Sequence, residues 1–161
     1  TSAAPRARVE HLESTILFWP YMAVVDAFQQ WAYTDPDGAD PDACDATWRA
    51  LWRRFIPAID FEGLGDVEAT GWHRKLHIFT VPFYYVEYGL AQLGAAQVWR
   101  NSLHDHPLAV ANYRSALRLG GTATLPQLFE TAGARFAFDA GTLGEAVGLI
   151  ERTVLELTAV A

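Results

Sequence analysis

A chain of 161 residues has room for one domain with a buried core, and its 51% apolar content excludes a disordered polymer. The net charge of -7 disfavours nucleic acid and anionic membrane as partners, and the single Cys44 cannot form an internal disulfide. No apolar stretch reaches the ~18 residues of a membrane span. The opening TSAAPRARVE lacks a signal-peptide core, so a cytoplasmic location is expected. A start without methionine suits a fragment, although processing produces the same end.

Apolar residues recur with a helical period and strict alternation is scarce. The spacing predicts an all-α protein, one helical domain over residues 1–161 with about six or seven helices. Val9 to Tyr33 reads as one long helix with Leu12, Ile16, Leu17, Val24, Ala27, Phe28 and Trp31 as apolar positions. Pro20 is expected to kink it or to mark a first turn. Thr34 to Asp42 is acidic turn chemistry. Asp40 and Pro41 then start a helix that ends at Phe55 before Pro57, with Trp48, Leu51, Trp52 and Phe55 on one face. Ile59 to Gly65 reads as loop, Val67 to Leu76 as helical, and His77 to Val81 as loop or distorted turn. The next helix is expected from Pro82 to about Leu103, thin at Gly89, Ala91, Gly94, Ala95 and Ala96. Pro107 to Leu119 forms another, stopped by Gly120. Thr124 with Gln127, and Thr142 with Glu145, have capping-box spacing before the last two helices.

The segment Trp72 to Trp99 stands apart, because it gathers His73, His77, Tyr84, Tyr85, Glu87 and Tyr88 around Pro82. A core helix has no need of such groups, and buried hydroxyls or imidazoles must find partners. On one helix, Tyr88 shares a face with Tyr84 and with Tyr85, and a loop folds His77 back over the same turns. Aromatic packing with satisfied hydroxyls explains the same pattern without chemistry. Glu87 is expected to pair with Arg74, Lys75 or a group outside the chain. His73 and His77 have the spacing for joint metal ligation on one helix, but no Glu follows His73. His104 and His106 around Asp105 read as a solvated helix end rather than a metal site. Asp26, Gln29 and Gln30 are expected to make structural hydrogen bonds or to line a cleft. Cys44, flanked by acids, is not expected to act as a nucleophile.

Four stretches carry a family resemblance. They are HIFTVPFYYVEYGLAQLGAAQVW from His77, HLESTILFWPYMAVVDAFQQWAYTDP from His11, WRALWRRFIPAIDF from Trp48 and YRSALRLGGTATLPQLFETAG from Tyr113. Together they resemble the oligoendopeptidase F group within the thimet-oligopeptidase family of zinc peptidases. One departure is decisive: the HExxH zinc motif is absent. The resemblance therefore implies the C-terminal part of a peptidase catalytic domain, with no metal ligand or cofactor in this chain and zinc in the intact parent. It implies that His77 and Tyr88 are catalytic donors to substrate and tetrahedral oxyanion, with Tyr84 and Tyr85 binding substrate. The implied partners are short peptides and the remainder of the peptidase, with self-association through an exposed apolar face. The chain alone is expected to be inactive. Two other classes fit the residues: a non-catalytic helical interaction module from a truncated gene, and a small metal-binding protein using its paired histidines.

Overall fold

The computed structural model describes residues 3–159 and contains eight α-helices, with no strand among the described residues. The helices are α1 (Ala3–Thr34), α2 (Pro41–Phe55), α3 (Gly65–Ala69), α4 (Leu76–Thr80), α5 (Val86–His104), α6 (His106–Leu119), α7 (Leu125–Thr131) and α8 (Ala140–Ala159). Short 3-10 turns lie at Pro36–Ala39, Thr70–Arg74 and Gly120–Thr122. Among the described residues no helix is long and apolar enough to cross a membrane. The chain resolves into two compact units, Leu17–Gly89 and the pair of segments Thr1–Ile16 and Leu90–Ala161.

The unit Leu17–Gly89 is built on aromatic packing. Val24, Val25, Phe28, Cys44, Trp48, Ile78 and Tyr85 form its buried core. Phe28 is the hub: its ring lies 5.3 Å from Trp48, edge to face, 5.5 Å from Trp72 and 5.9 Å from Trp31. Edge-to-face contacts of this kind align each ring's positive rim with its neighbour's negative face. Helix α1 starts at Ala3 rather than near Val9 and continues through Pro20 to Thr34. Pro5 is tolerated because it sits in the first turn, where backbone N–H groups have no intrahelical partner.

Helix α2 begins where Asp40 and Pro41 predict: the Asp40 carboxylate accepts from Asp42 N–H at 3.1 Å. It closes with Ile56 N–H donating to Trp52 C=O at 2.8 Å, just before Pro57. Its exposed side supplies Arg53, which grips the buried Glu68 carboxylate with two hydrogen bonds of 2.7 and 2.9 Å, while Arg49 stands 3.4 Å away. The turn leading into α2 leaves no room for a side chain at Gly38, where an added Cβ would lie 2.1 Å from Ala32 C=O. Gly38→Ala is therefore expected to cost ~1–3 kcal/mol through forced backbone movement. Urea unfolding should show a lower midpoint with an unchanged slope, and an unaltered midpoint would contradict the packing.

Three local expectations are corrected in this unit. The helical stretch predicted to Leu76 ends as α3 followed by a 3-10 turn, with Lys75 N–H donating to Trp72 C=O at 3.0 Å. His77 lies in α4, not in a loop, because burying Ile78 rewards a turn of helix there. The following helix starts at Val86, not near Pro82. Tyr84 N–H donates to Val81 C=O at 3.3 Å, which closes a turn, and Phe83 has φ +65°, which no α-helix accommodates.

The second unit owes its close packing to small residues. An added Cβ at Gly94 would lie 2.6 Å from the Phe129 ring, as the thinness of α5 suggests. The same small residues leave an apolar pocket of about 330 Å³ lined by Gly94, Val98, Tyr113, Leu128 and Phe129. Asp105 caps α6 by accepting from Leu108 N–H at 3.0 Å. Gly120, at φ +53°, ends that helix as predicted. Thr124 and Gln127 form the expected box, with Thr124 N–H donating to Gln127 Oε1 at 3.0 Å.

The box predicted at Thr142 and Glu145 does not form. Asp139 caps α8 instead, accepting from Thr142 N–H at 2.8 Å, and Glu145 pairs with Arg100 at 2.5 Å. The Thr142 backbone N–H and hydroxyl hold the Asp139 carboxyl below its ordinary value of 3.8. A depressed folded-state pKa means the cap's contribution is complete above that ordinary value and is lost as pH falls through the depressed one. Amide exchange in the first turn of α8 should accelerate over that acid range, and Asp139→Ala should remove the pH dependence.

Candidate active site

His77 on α4, Tyr84 and Tyr85 in the following turn, and Tyr88 in the first turn of α5 form one aromatic cluster. The His77 ring is 5.1 Å from Tyr85 and 5.9 Å from Tyr88, and Tyr88 is 5.5 Å from Tyr84 and 5.7 Å from Tyr85. The gathering expected from sequence thus exists, but it is built across two helices and a turn.

Its four members do not stand in equivalent places. Tyr84 and Tyr88 are 44% and 43% exposed, whereas Tyr85 is 6% exposed and belongs to the core. Tyr85 packs on Phe18 at 5.8 Å and Tyr21 at 6.2 Å. The Lys75 ammonium sits 4.6 Å over the Tyr21 ring and 5.3 Å over the Tyr85 ring. Burial pushes the Tyr85 phenol above its ordinary pKa, against the opposing pull of Lys75. Tyr85 therefore stays neutral and serves as the floor behind His77 and Tyr88. Around it the surface is apolar and aromatic: Leu76, Phe79, Val81 and Phe83 are exposed between residues 76 and 83.

Over residues 2–147 the chain matches peptidase family M3. The chain belongs to peptidase family M3. A solved structure, Pz peptidase A with inhibitor 2, is 32% identical to it with a TM-score of 0.87, covering 96% of this chain and 27% of that one. The family M3 chain thus spans about a quarter of that relative's length. Among curated proteins none matches.

Family M3 depends on zinc. Among the described residues no group of three or more His, Cys, Asp or Glu side chains is placed to hold a metal ion. His73 and His77 lie on separate elements, the 3-10 turn and α4, rather than on one helix. His73 packs on Trp72 with ring centres 4.3 Å apart and stands 3.9 Å from the Asp45 carboxylate. His104 and His106 are exposed at the α5–α6 junction that Asp105 caps.

Other sequence candidates take structural places. Glu87 is exposed and forms no ion pair among the described residues with either expected partner, and Lys75 lies over the Tyr21 and Tyr85 rings. Cys44 is buried, and burial with Asp45 and Asp40 raises its thiol pKa, as expected for an unreactive side chain. Asp26 is half-buried and its carboxyl is pushed up by that burial.

Three residues that support the cluster were not singled out for that part by sequence. Trp19 Nε1 donates to Gly89 C=O at 3.2 Å and so ties α5 to α1. The Tyr33 hydroxyl donates to Ile78 C=O at 2.7 Å, beside His77. Gln29 Oε1 accepts from Phe83 N–H at 2.9 Å. The motif DAFQQW marked Gln29 as polar on an apolar helix, and that was its only sequence signal.

Proposed function

We propose that this family M3 chain is the substrate-facing, C-terminal part of an oligoendopeptidase F-like peptidase that hydrolyses short peptides. The observation that carries the reading is the exposed surface within residues 76–88, where the Tyr88 ring packs against both His77 and Tyr84 beside exposed Leu76, Phe79, Val81 and Phe83. Such a surface suits an extended peptide: apolar rings bury side chains, and a few donors fix the backbone.

Peptide hydrolysis develops negative charge on the scissile carbonyl oxygen as the carbon becomes tetrahedral. A neutral donor aimed at that position favours the transition state over the planar ground state. Tyr88 is assigned this donor role, because its ring packs on Tyr85 and His77 while the residue remains 43% exposed. His77 is assigned a second donor to substrate or oxyanion, and Tyr84 a substrate contact. Tyr85, expected to bind substrate, is instead assigned to hold the other rings. Metal ligands and the general base belong, on this reading, to the remainder of the peptidase.

Mixing provides the test. The pure 161-residue chain is expected to give no turnover of a quenched-fluorescence peptide. Combined with the separately expressed remainder of the peptidase, it should restore chelator-sensitive turnover. Turnover by the pure chain, or no restoration by a remainder that binds it, would overturn the assignment. The free chain is expected to self-associate through its exposed aromatic surface, which light scattering would detect.

A further inference from the structure

The turn that presents Tyr84 is held in a conformation that its own residues disfavour. Pro82 and Phe83 are its central pair, and Phe83 has φ +65° at the position that ordinarily takes glycine. Among the described residues it is the one non-glycine residue of positive φ. A side chain in that region persists only where the surroundings hold it.

Those surroundings supply Gln29, whose Oε1 accepts from Phe83 N–H at 2.9 Å. Gln29 is fully buried on α1, and its Nε2 has no partner. Gln97, the other buried glutamine, offers a contrast. It accepts from Arg135 N–H at 2.9 Å and donates to Arg135 C=O at 3.0 Å, so both ends of its carboxamide are used. Burying an unpaired amide donor costs free energy that an apolar side chain of equal length would not. The acceptor offered to Phe83 is what Gln29 contributes in return.

We propose that Gln29 is a positioning residue for substrate binding, clamping Phe83 so that Tyr84 is aimed at the peptide. This rests on the substrate role assigned to Tyr84 above. Phe83 packs on Tyr33 with ring centres 5.5 Å apart, and Tyr84 follows directly. Tyr88 is held separately, since Trp19 ties the backbone at Gly89 and an added Cβ there would lie 2.5 Å from Met22 Cε. Releasing Phe83 to negative φ therefore re-aims Tyr84 and leaves Tyr88 in place. The clamp acts on binding rather than on the chemical step.

Gln29→Met keeps the length of the side chain and removes the acceptor. In the intact peptidase, KM for a short quenched-fluorescence peptide should rise about three- to tenfold while kcat stays within about twofold. In a Phe83→Gly background the same substitution should change KM by less than about twofold, because glycine adopts positive φ unaided. In the 161-residue chain, exchange at the Phe83 amide should accelerate while the Val25 and Phe28 amides keep their protection. An unchanged KM with a deprotected Phe83 amide overturns the proposal, and so does a Phe83 amide that stays protected. If Gln29→Met unfolds the chain, restoration by Phe83→Gly supports the clamp, and failure to restore shows Gln29 to be core filling only. An unaffected kcat in Tyr88→Phe alongside the full Gln29 pattern counts against the oxyanion assignment and leaves the clamp standing.

Discussion

Tyr88→Phe in the intact peptidase is expected to lower kcat by about 10²–10³, the loss typical of one oxyanion donor. The ring contacts with His77, Tyr84 and Tyr85 survive the change, since only the hydroxyl is removed. Folding should therefore be unaffected, since Tyr88 is 43% exposed and keeps its ring. KM should move much less, because the hydrogen bond strengthens as charge develops on the oxygen. Steady-state kinetics on a short peptide would separate the two parameters. A kcat within about twofold of the parent would transfer the donor role to Tyr84 or His77. His77→Ala should also reduce turnover, with a larger share of its effect in KM if the imidazole orders substrate.

Phe28→Ala is expected to be the most destabilising single truncation in the unit Leu17–Gly89. Phe28 is 1% exposed and touches three tryptophans, two of them on other elements, so its removal leaves a void that rigid rings cannot fill. Truncations of this type cost ~3–5 kcal/mol, against a total stability of about 5–15 kcal/mol for an ordinary domain. With a urea slope of roughly 2 kcal/mol per M, the midpoint should fall by about 2 M. Phe28→Leu, which keeps most of the volume, should lose far less. A midpoint shift below about 0.5 M for Phe28→Ala would show that the aromatic hub is not the core of this unit.

Much of the helical layout was legible because its signals are short-range. Asp40 with Pro41, Thr124 with Gln127, and Gly120 each act on backbone groups within a turn of themselves, so their effect is written beside them. The errors cluster between Lys75 and Tyr85, where local signals conflict. Pro82 is a good helix starter, yet Phe83 in the left-handed region postpones the helix to Val86. At α8, two plausible caps compete, and Asp139 prevails over Thr142 as the first acceptor.

The sequence by itself determined an all-α chain, the gathering of His77, Tyr84, Tyr85 and Tyr88, and the lack of an HExxH motif. Periodicity, spacing and the presence of a motif are properties of the chain read in order. Only the tertiary structure decided that Tyr85 faces the core while Tyr84 and Tyr88 are exposed, since Tyr84 follows the turn at Phe83 and Tyr88 follows the start of α5, tied at Gly89 by Trp19. It alone joined Gln29 to Phe83 across 54 positions. A strained backbone angle and a distant acceptor that steadies it leave no local pattern, because each is favourable only in the presence of the other.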